Sequence, residues 1–333
     1  MTPDWQFDYA VRLGCVVLAT GFFAFVAGTM ANLALTPVVL RWARRAAIRR
    51  QRPEVIAAWL LRVRLLPLGA IAVTVCGVSL PSYLWLEPHT GRESLGIGFL
   101  LAALAGAGLC SCLGGRAWRA ARQAARFAAE CRTAGLAVSN PAAPESRLWV
   151  IPEAPPLLAL AGIVRPSLVI SRAVLDRLAP EELAVSLRHE AAHLYAGDNI
   201  KRWLMRTLPG YGRANCVLEA TWARMAEWAA DDRAVSSAQG PDPARSLALA
   251  AALVAVAGLG SQSCPAFCSP LAGSMAGELH VRVRRLLRFD TPQASRRHAT
   301  KTVIAGFFVA AALIALAPTG LALAHTVLEH LLR

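Results

Sequence analysis

Four stretches of the chain stay apolar for about 20 residues or more, at 12–38, 65–86, 95–114 and 302–324. A helix needs about that length to cross roughly 30 Å of hydrocarbon. The first, LGCVVLATGFFAFVAGTMANLAL, follows Asp4 and Asp8 rather than basic residues and lacks a small-residue cleavage site, so a retained span is expected rather than a removed leader. A fifth apolar run, SLALAAALVAVAGL at 246–259, is too short to cross and is flanked by Pro243 and Gly260; it predicts a buried helix of a soluble domain.

Between the third and fourth spans the pattern changes. RAWRAARQAARFAAECRTA repeats arginine every three or four residues and predicts that span three continues as a helix. A polar loop follows at 139–146. RLWVI (147–151) and SLVIS (167–171) are rich in β-branched residues and are the only strands expected, with the proline-containing stretch PEAPPLLALAGIVRP between them. RAVLDRLAPEELAVSLRHEAAHLYAGD predicts two helices, the second opened by Pro180, Glu181 and Glu182 and stopped near Gly197. From residue 214, ANCVLEATWARMAEWAADDRAVSSAQ predicts a further helix of some 25 residues, ending before Gly240 and Pro241. The pattern thus predicts a mainly α integral membrane protein: a membrane region at 1–114, a cytoplasmic α+β domain at 115–301, a fourth transmembrane helix at 302–324 and a short external tail at 325–333.

Composition agrees with a membrane class, at 56% hydrophobic and 17% charged residues over 333, with mean hydropathy +0.44. The formal charge of +14 is concentrated in three regions. Arg41, Arg44, Arg45, Arg49, Arg50, Arg52, Arg62 and Arg64 lie between spans one and two; Arg116, Arg119, Arg122 and Arg126 follow span three; Arg282, Arg284, Arg285, Arg288, Arg296, Arg297 and Lys301 precede span four. The positive-inside rule puts all three regions on the cytoplasmic side and both termini outside a bacterial-type cytoplasmic membrane. One topology accounts for the charge, so the lipid bilayer, with its anionic headgroups, is the expected partner and no direct nucleic-acid partner is expected. Cys15, Cys76, Cys110 and Cys112 fall in spans as packing residues, and Cys264 and Cys268 lack the second pair that a metal site would need.

Chemistry concentrates in RHEAAHLYAGDN. On a helix, i and i+4 residues stand one above the other, so His189 and His193 can both direct an imidazole at one metal ion, with Glu190 beside that face to take a proton from water. Catalytic zinc normally takes three protein ligands. Glu227 in EWAAD is the best-placed third, and Asp231, one turn further on, could accept a histidine N–H. The same two residues also read as an exposed acidic face between Arg224 and Arg233. His89, His280, His298, His325 and His330 have no partner at ligand spacing.

HEAAHLYAGD followed by EWAADDRAV resembles the BlaR/MecR family of integral-membrane zinc peptidases, in which HExxH is joined by a glutamate in an ExxxD pattern. GIVRPSLVISRAVLDRLAPEELAVSLRHE is similar to the run that enters that family's metal site, and RVRRLL at 282–287 to its basic-apolar segment before the last span. The resemblance implies four transmembrane helices with a zincin-like (minigluzincin-type) peptidase domain between helices 3 and 4. It also implies one Zn2+ held by His189, His193 and Glu227, with Glu190 as general base, Asp231 supporting a ligand, and Asp198 in a structural or supporting place. By family analogy the expected substrate is a cytoplasmic protein such as a BlaI/MecI-type repressor.

Members of that family that sense β-lactams carry an extracellular penicillin-binding domain after the fourth span. No S-x-x-K of such a domain stands in an external segment here, so direct antibiotic sensing by this polypeptide is not expected and a separate sensor protein stays open as a partner. Leu168, Val169 and Ile170 in SLVIS are expected to form an edge strand that pairs with an extended substrate. Two other readings stay open: a quality-control peptidase resembling HtpX or the CAAX prenyl protease, and a non-catalytic membrane signalling or scaffold protein.

Overall fold

The computed structural model describes residues 4–86, 96–139, 148–210, 212–238, 240–260 and 276–288. The apolar run expected to form a fourth span and the Cys264/Cys268 pair lie outside these residues. The chain is mostly helical. Helices α1 (Asp4–Ile48), α2 (Pro53–Thr74), α3 (Leu80–Leu86) and α4 (Ile97–Ala134) come first, with a π-helical turn at Val75–Ser79 joining α2 to α3. Three helical segments are long and apolar enough to cross a membrane: Tyr9–Ile48, Pro53–Trp85 and Ile97–Ala134. Each is longer than the apolar run that predicted it. The 38 residues of α4 extend about 57 Å at 1.5 Å per residue, nearly twice the hydrocarbon thickness, which leaves room for its arginine-bearing half beyond it.

The described chain divides into two compact units. The first comprises the residues up to Val38 together with Arg62–Gly115. Here helices meet through small residues and side-chain polar links, as expected where lipid gives helices little hydrophobic reason to associate. A Cβ on Gly28 would stand 2.7 Å from Pro67 Cα, and one on Gly106 would collide with the Leu18 carbonyl. Asn32 Nδ2 donates to the Val63 carbonyl at 2.7 Å, and Ser79 Oγ donates to Thr20 Oγ1 at 3.0 Å.

The second unit contains Val39–Leu61 and the described residues from Arg116 on. Strands β1 (Leu136–Val138), β2 (Leu148–Ile151), β3 (Leu158–Ala161) and β4 (Ser167–Ser171) form one sheet in the order β1-β2-β4-β3. It is followed by α5 (Arg172–Arg177), α6 (Pro180–Ala196), α7 (Asp198–Thr207), α8 (Gly212–Val235), the short β5–β6 pair (Ser236–Ser237, Gly240–Pro241), α9 (Pro243–Gly258) and α10 (Ala276–Leu287). Because side chains alternate across a strand, Leu168 and Ile170 join Leu158 and Leu160 against α6 and α9, whereas Val169 and Ala161 face Ala128 and Cys131 of α4. The run at 246–259 is part of α9, whose Leu249, Ala252 and Leu253 are completely buried in this core.

The sheet corrects the expectation for Leu168, Val169 and Ile170. β4 is an interior strand, paired in parallel with β2 and antiparallel with β3, so its backbone groups are used on both sides and cannot receive a substrate strand. The edges belong to β1 and to β3, LALA, the latter missed because leucine and alanine carry little β preference and two prolines precede them; full burial decided its conformation. α7 was likewise missed. Gly197 ends α6 with φ 68°, yet the chain re-enters a helix at once.

The tight helix contact in the first unit can be tested. Gly106→Leu should lower thermal stability in detergent by about 1–3 kcal/mol through overpacking. Gly108→Ala, on the same helix with nothing within 4 Å of its added Cβ, should be neutral or stabilising. Equal melting of Gly106→Leu and wild type would contradict the packing.

Candidate metal centre

Helix α6 carries the HEAAH segment, and its start is well specified. Pro180 occupies the first turn, and the Ala179 N–H donates to the Glu182 carboxylate at 3.0 Å. Val185 and Leu187 anchor the helix in the core, while His189, Glu190 and His193 lie on its inward side, each at most 1% exposed. α8 packs against α6 and contributes Glu227 and Asp231.

Donor atoms of three residues converge. His189 Nε2 and His193 Nε2 are 3.2 Å apart, His189 Nε2 is 3.5 Å from Glu227 Oε2, and His193 Nε2 is 3.6 Å from Glu227 Oε1. Ligands about 2.0–2.1 Å from a tetrahedral zinc stand about 3.3–3.4 Å from one another. The three residues therefore fit as a metal-holding group, the one such group among the described residues. The other ring nitrogens are also engaged. His189 Nδ1 lies 3.0 Å from Asp231 Oδ1, and His193 Nδ1 lies 2.7 Å from Asp198 Oδ2, a carboxylate that also accepts from Lys201 Nζ at 2.9 Å. Contacts of this kind fix ring orientation and leave Nε2 directed at the metal position.

Glu190 differs from its neighbours. It is completely buried, and among the described residues neither carboxylate oxygen has a hydrogen-bond partner. Burial raises its pKa to about 7 against the pull of the two histidines, which suits a group that takes and returns protons near neutrality. Burial would lower the histidines, but the Asp231 and Glu227 carboxylates raise His189, and Glu227 with Asp198 pushes His193 up to about 10. Against their own burial, Glu227 is held well below the usual carboxylate range by His193, His189 and Arg282, and Asp231 is lowered by Arg282 and His189.

Arg282 was assigned from the sequence to membrane topology with the other arginines of its run. Instead it is buried, donating to Asp231 Oδ1 at 2.6 Å through Nη2 and to Oδ2 at 2.9 Å through Nε, with Nη1 3.3 Å from Glu227 Oε2. Arg202 on α7 approaches the other Glu227 oxygen at 3.3 Å. A signal for Arg282 was present: it shares a helical stripe with Leu279, Val283 and Leu286, all packed on the core, and a cation on an apolar stripe calls for a buried anion. Arg202 had no such signal, because α7 itself was not foreseen. Compared with protein-family models, curated proteins and solved structures, the chain matches none.

Arg282→Met leaves Asp231 buried without its cation, so a loss of about 3–5 kcal/mol in thermal or denaturant unfolding is expected, together with a fall of about 10–100-fold in zinc affinity. Adding Asp231→Asn to Arg282→Met should restore much of the stability but not the affinity. A single variant as stable as wild type would contradict the ion pair.

Protons should be displaced by metal. In the metal-free protein the neighbouring carboxylates raise both histidines against their burial, His193 up to about 10, and imidazole binds metal only when neutral. Zinc binding at pH 7 should therefore release protons, and apparent affinity should climb from pH 6 to pH 8 by up to about tenfold per pH unit for each proton displaced. Calorimetry in buffers of different ionisation enthalpy measures this; heats independent of buffer would refute it.

Proposed function

We propose that the protein is a membrane-embedded zinc-dependent endopeptidase with a regulatory role, cleaving a cytoplasmic protein such as a BlaI/MecI-type transcriptional repressor. The reading includes a fourth span at 302–324, both termini outside and a zincin-like domain in the cytoplasm. One observation carries it: two histidine Nε2 atoms 3.2 Å apart, each within 3.6 Å of a Glu227 carboxylate oxygen, beside a fully buried glutamate whose oxygens have no partner among the described residues. A structural ion-pair cluster needs no Glu190, since an unpaired buried carboxyl only costs stability.

Zinc bound to His189, His193 and Glu227 would polarise a peptide carbonyl and make water more acidic. Glu190, at a pKa of about 7, takes the proton from water as it attacks the carbonyl carbon and passes it to the leaving amine. Asp231 and Asp198 hold the imidazoles in register through Nδ1. Arg282 and Arg202 balance the charge of Glu227 and so keep a carboxylate available at that depth. The resemblance of HEAAH and EWAAD to BlaR/MecR peptidases supports the same roles.

Purified protein should contain about one zinc per chain. Glu190→Gln should keep that zinc while losing about 10²–10⁴-fold in peptide hydrolysis. Protein without zinc, or a Glu190→Gln variant as active as wild type, would overturn the reading. Comparing peptides from cells that express wild type or Glu190→Gln would identify the substrate as the fragment made only by wild type.

A further inference from the structure

Solvent reaches the charged side chains around the metal position unequally. His189, His193 and Asp231 are at most 1% exposed, and Arg282 and Asp198 are 7% exposed. Glu227 and Arg202 are each 16% exposed. Lys201 is more exposed but already donates to Asp198. A peptide bond that reaches the donor atoms therefore approaches from the side where Glu227 and Arg202 meet, and Arg202 is the cation it finds there.

Arg202 is held in place without being fully satisfied. Its helix, α7, is fixed near both ends: Asn199 donates to the Leu160 and Gly162 carbonyls, and Arg116 donates to the carbonyls of Arg206, Thr207 and Leu208 at 2.9–3.1 Å. The Arg202 guanidinium lies over the ring of buried Trp222 at 5.7 Å. In a guanidinium, Nε and Nη2 share one edge of the planar group, the edge with which Arg282 holds both Asp231 oxygens. Arg202 meets Glu227 with one atom of that edge, Nη2 to Oε1 at 3.3 Å; the other, the buried Nε, has no hydrogen-bond acceptor among the described residues. A buried N–H left in that state costs stability, as does the unpartnered carboxylate of Glu190. The two are complementary, since Glu190 lacks a donor and Arg202 lacks an acceptor.

We infer, on the peptidase reading of this site, that Arg202 is a further catalytic residue, donating from Nε to the oxyanion formed at the scissile carbonyl. As the water oxygen bonds to the carbonyl carbon, its proton goes to Glu190 and the C=O π pair moves onto the carbonyl oxygen, which becomes the acceptor that Arg202 lacks. When that pair returns, the C–N bond breaks and the amine nitrogen takes the proton from Glu190. A donor fixed before the charge develops needs no reorganisation when it does. Balancing Glu227 requires a cation, but it does not require a buried N–H left over.

Arg202→Lys keeps the charge beside Glu227 and removes the planar fork. In zinc-loaded full-length protein it should retain the melting temperature and zinc affinity of wild type, while kcat for peptide hydrolysis falls about 10²–10³-fold with little change in KM. Binding supplies a readout apart from activity. Methylphosphonate, whose tetrahedral oxygens resemble the oxyanion, should bind Arg202→Lys about tenfold more weakly than wild type by calorimetry, whereas planar acetohydroxamate should bind both alike. Unchanged kcat, unchanged methylphosphonate binding, or an equal loss for both ligands would leave Arg202 as a counter-ion of Glu227 and overturn the assignment. Wild type that holds no zinc or cleaves no peptide would instead overturn the peptidase reading, and this assignment with it.

Discussion

Glu227 and Asp231 lie one turn apart on α8 in the interior of the second unit, where two adjacent carboxylates are strongly unfavourable unless cations meet them. Arg282 spans both, chelating Asp231 and reaching Glu227, and Arg202 and the two histidines complete the balance. Much else follows from that neutralisation. α10 docks by the same face, placing Leu286 in the core one turn beyond Arg282. With Glu227 kept ionised and Nδ1 of each histidine facing a carboxylate, the remaining donor atoms converge on one point.

The frame around this cluster is apolar and rigid. The sheet presents Leu158, Leu160, Leu168 and Ile170 to α6 and α9, so the helix bearing HEAAH rests on a packed surface rather than on a loop. Asn199 ties the start of α7 to the open edge of the sheet by donating to the carbonyls of Leu160 and Gly162 at 3.3 and 2.7 Å. That contact sets α7 in place, and α7 in turn carries Arg202 and Lys201 to the charged cluster. Both carboxylate oxygens of Glu190 lack a hydrogen-bond partner among the described residues, and a buried carboxyl left in that state is more readily explained by chemistry than by packing.

Local signals in the sequence were strong wherever one residue type has one structural use. Pro180 and Gly197 marked the ends of α6, the apolar runs marked three helices able to cross a membrane, and the i, i+4 histidines marked a shared helix face. They were weak where burial had to decide. LALA became a strand because the sheet enclosed it, and SLVIS became interior because LALA took the edge. Within the run of arginines before residue 289, charge alone could not separate Arg282, which is buried on Asp231, from Arg284, which is exposed.

By itself, the sequence determined the apolar helices, the histidine pair and the acidic pair at helical spacing, because hydrophobic length and the 3.6-residue period are properties of a single segment. Only the tertiary structure decided which strand is the sheet edge, that Glu227 meets His189 and His193 at 3.5 and 3.6 Å, and that Arg282 balances the carboxylates beside them. The charged contacts join residues 34 to 55 apart, and what joins them is the need of buried charges for partners, which no single segment can satisfy.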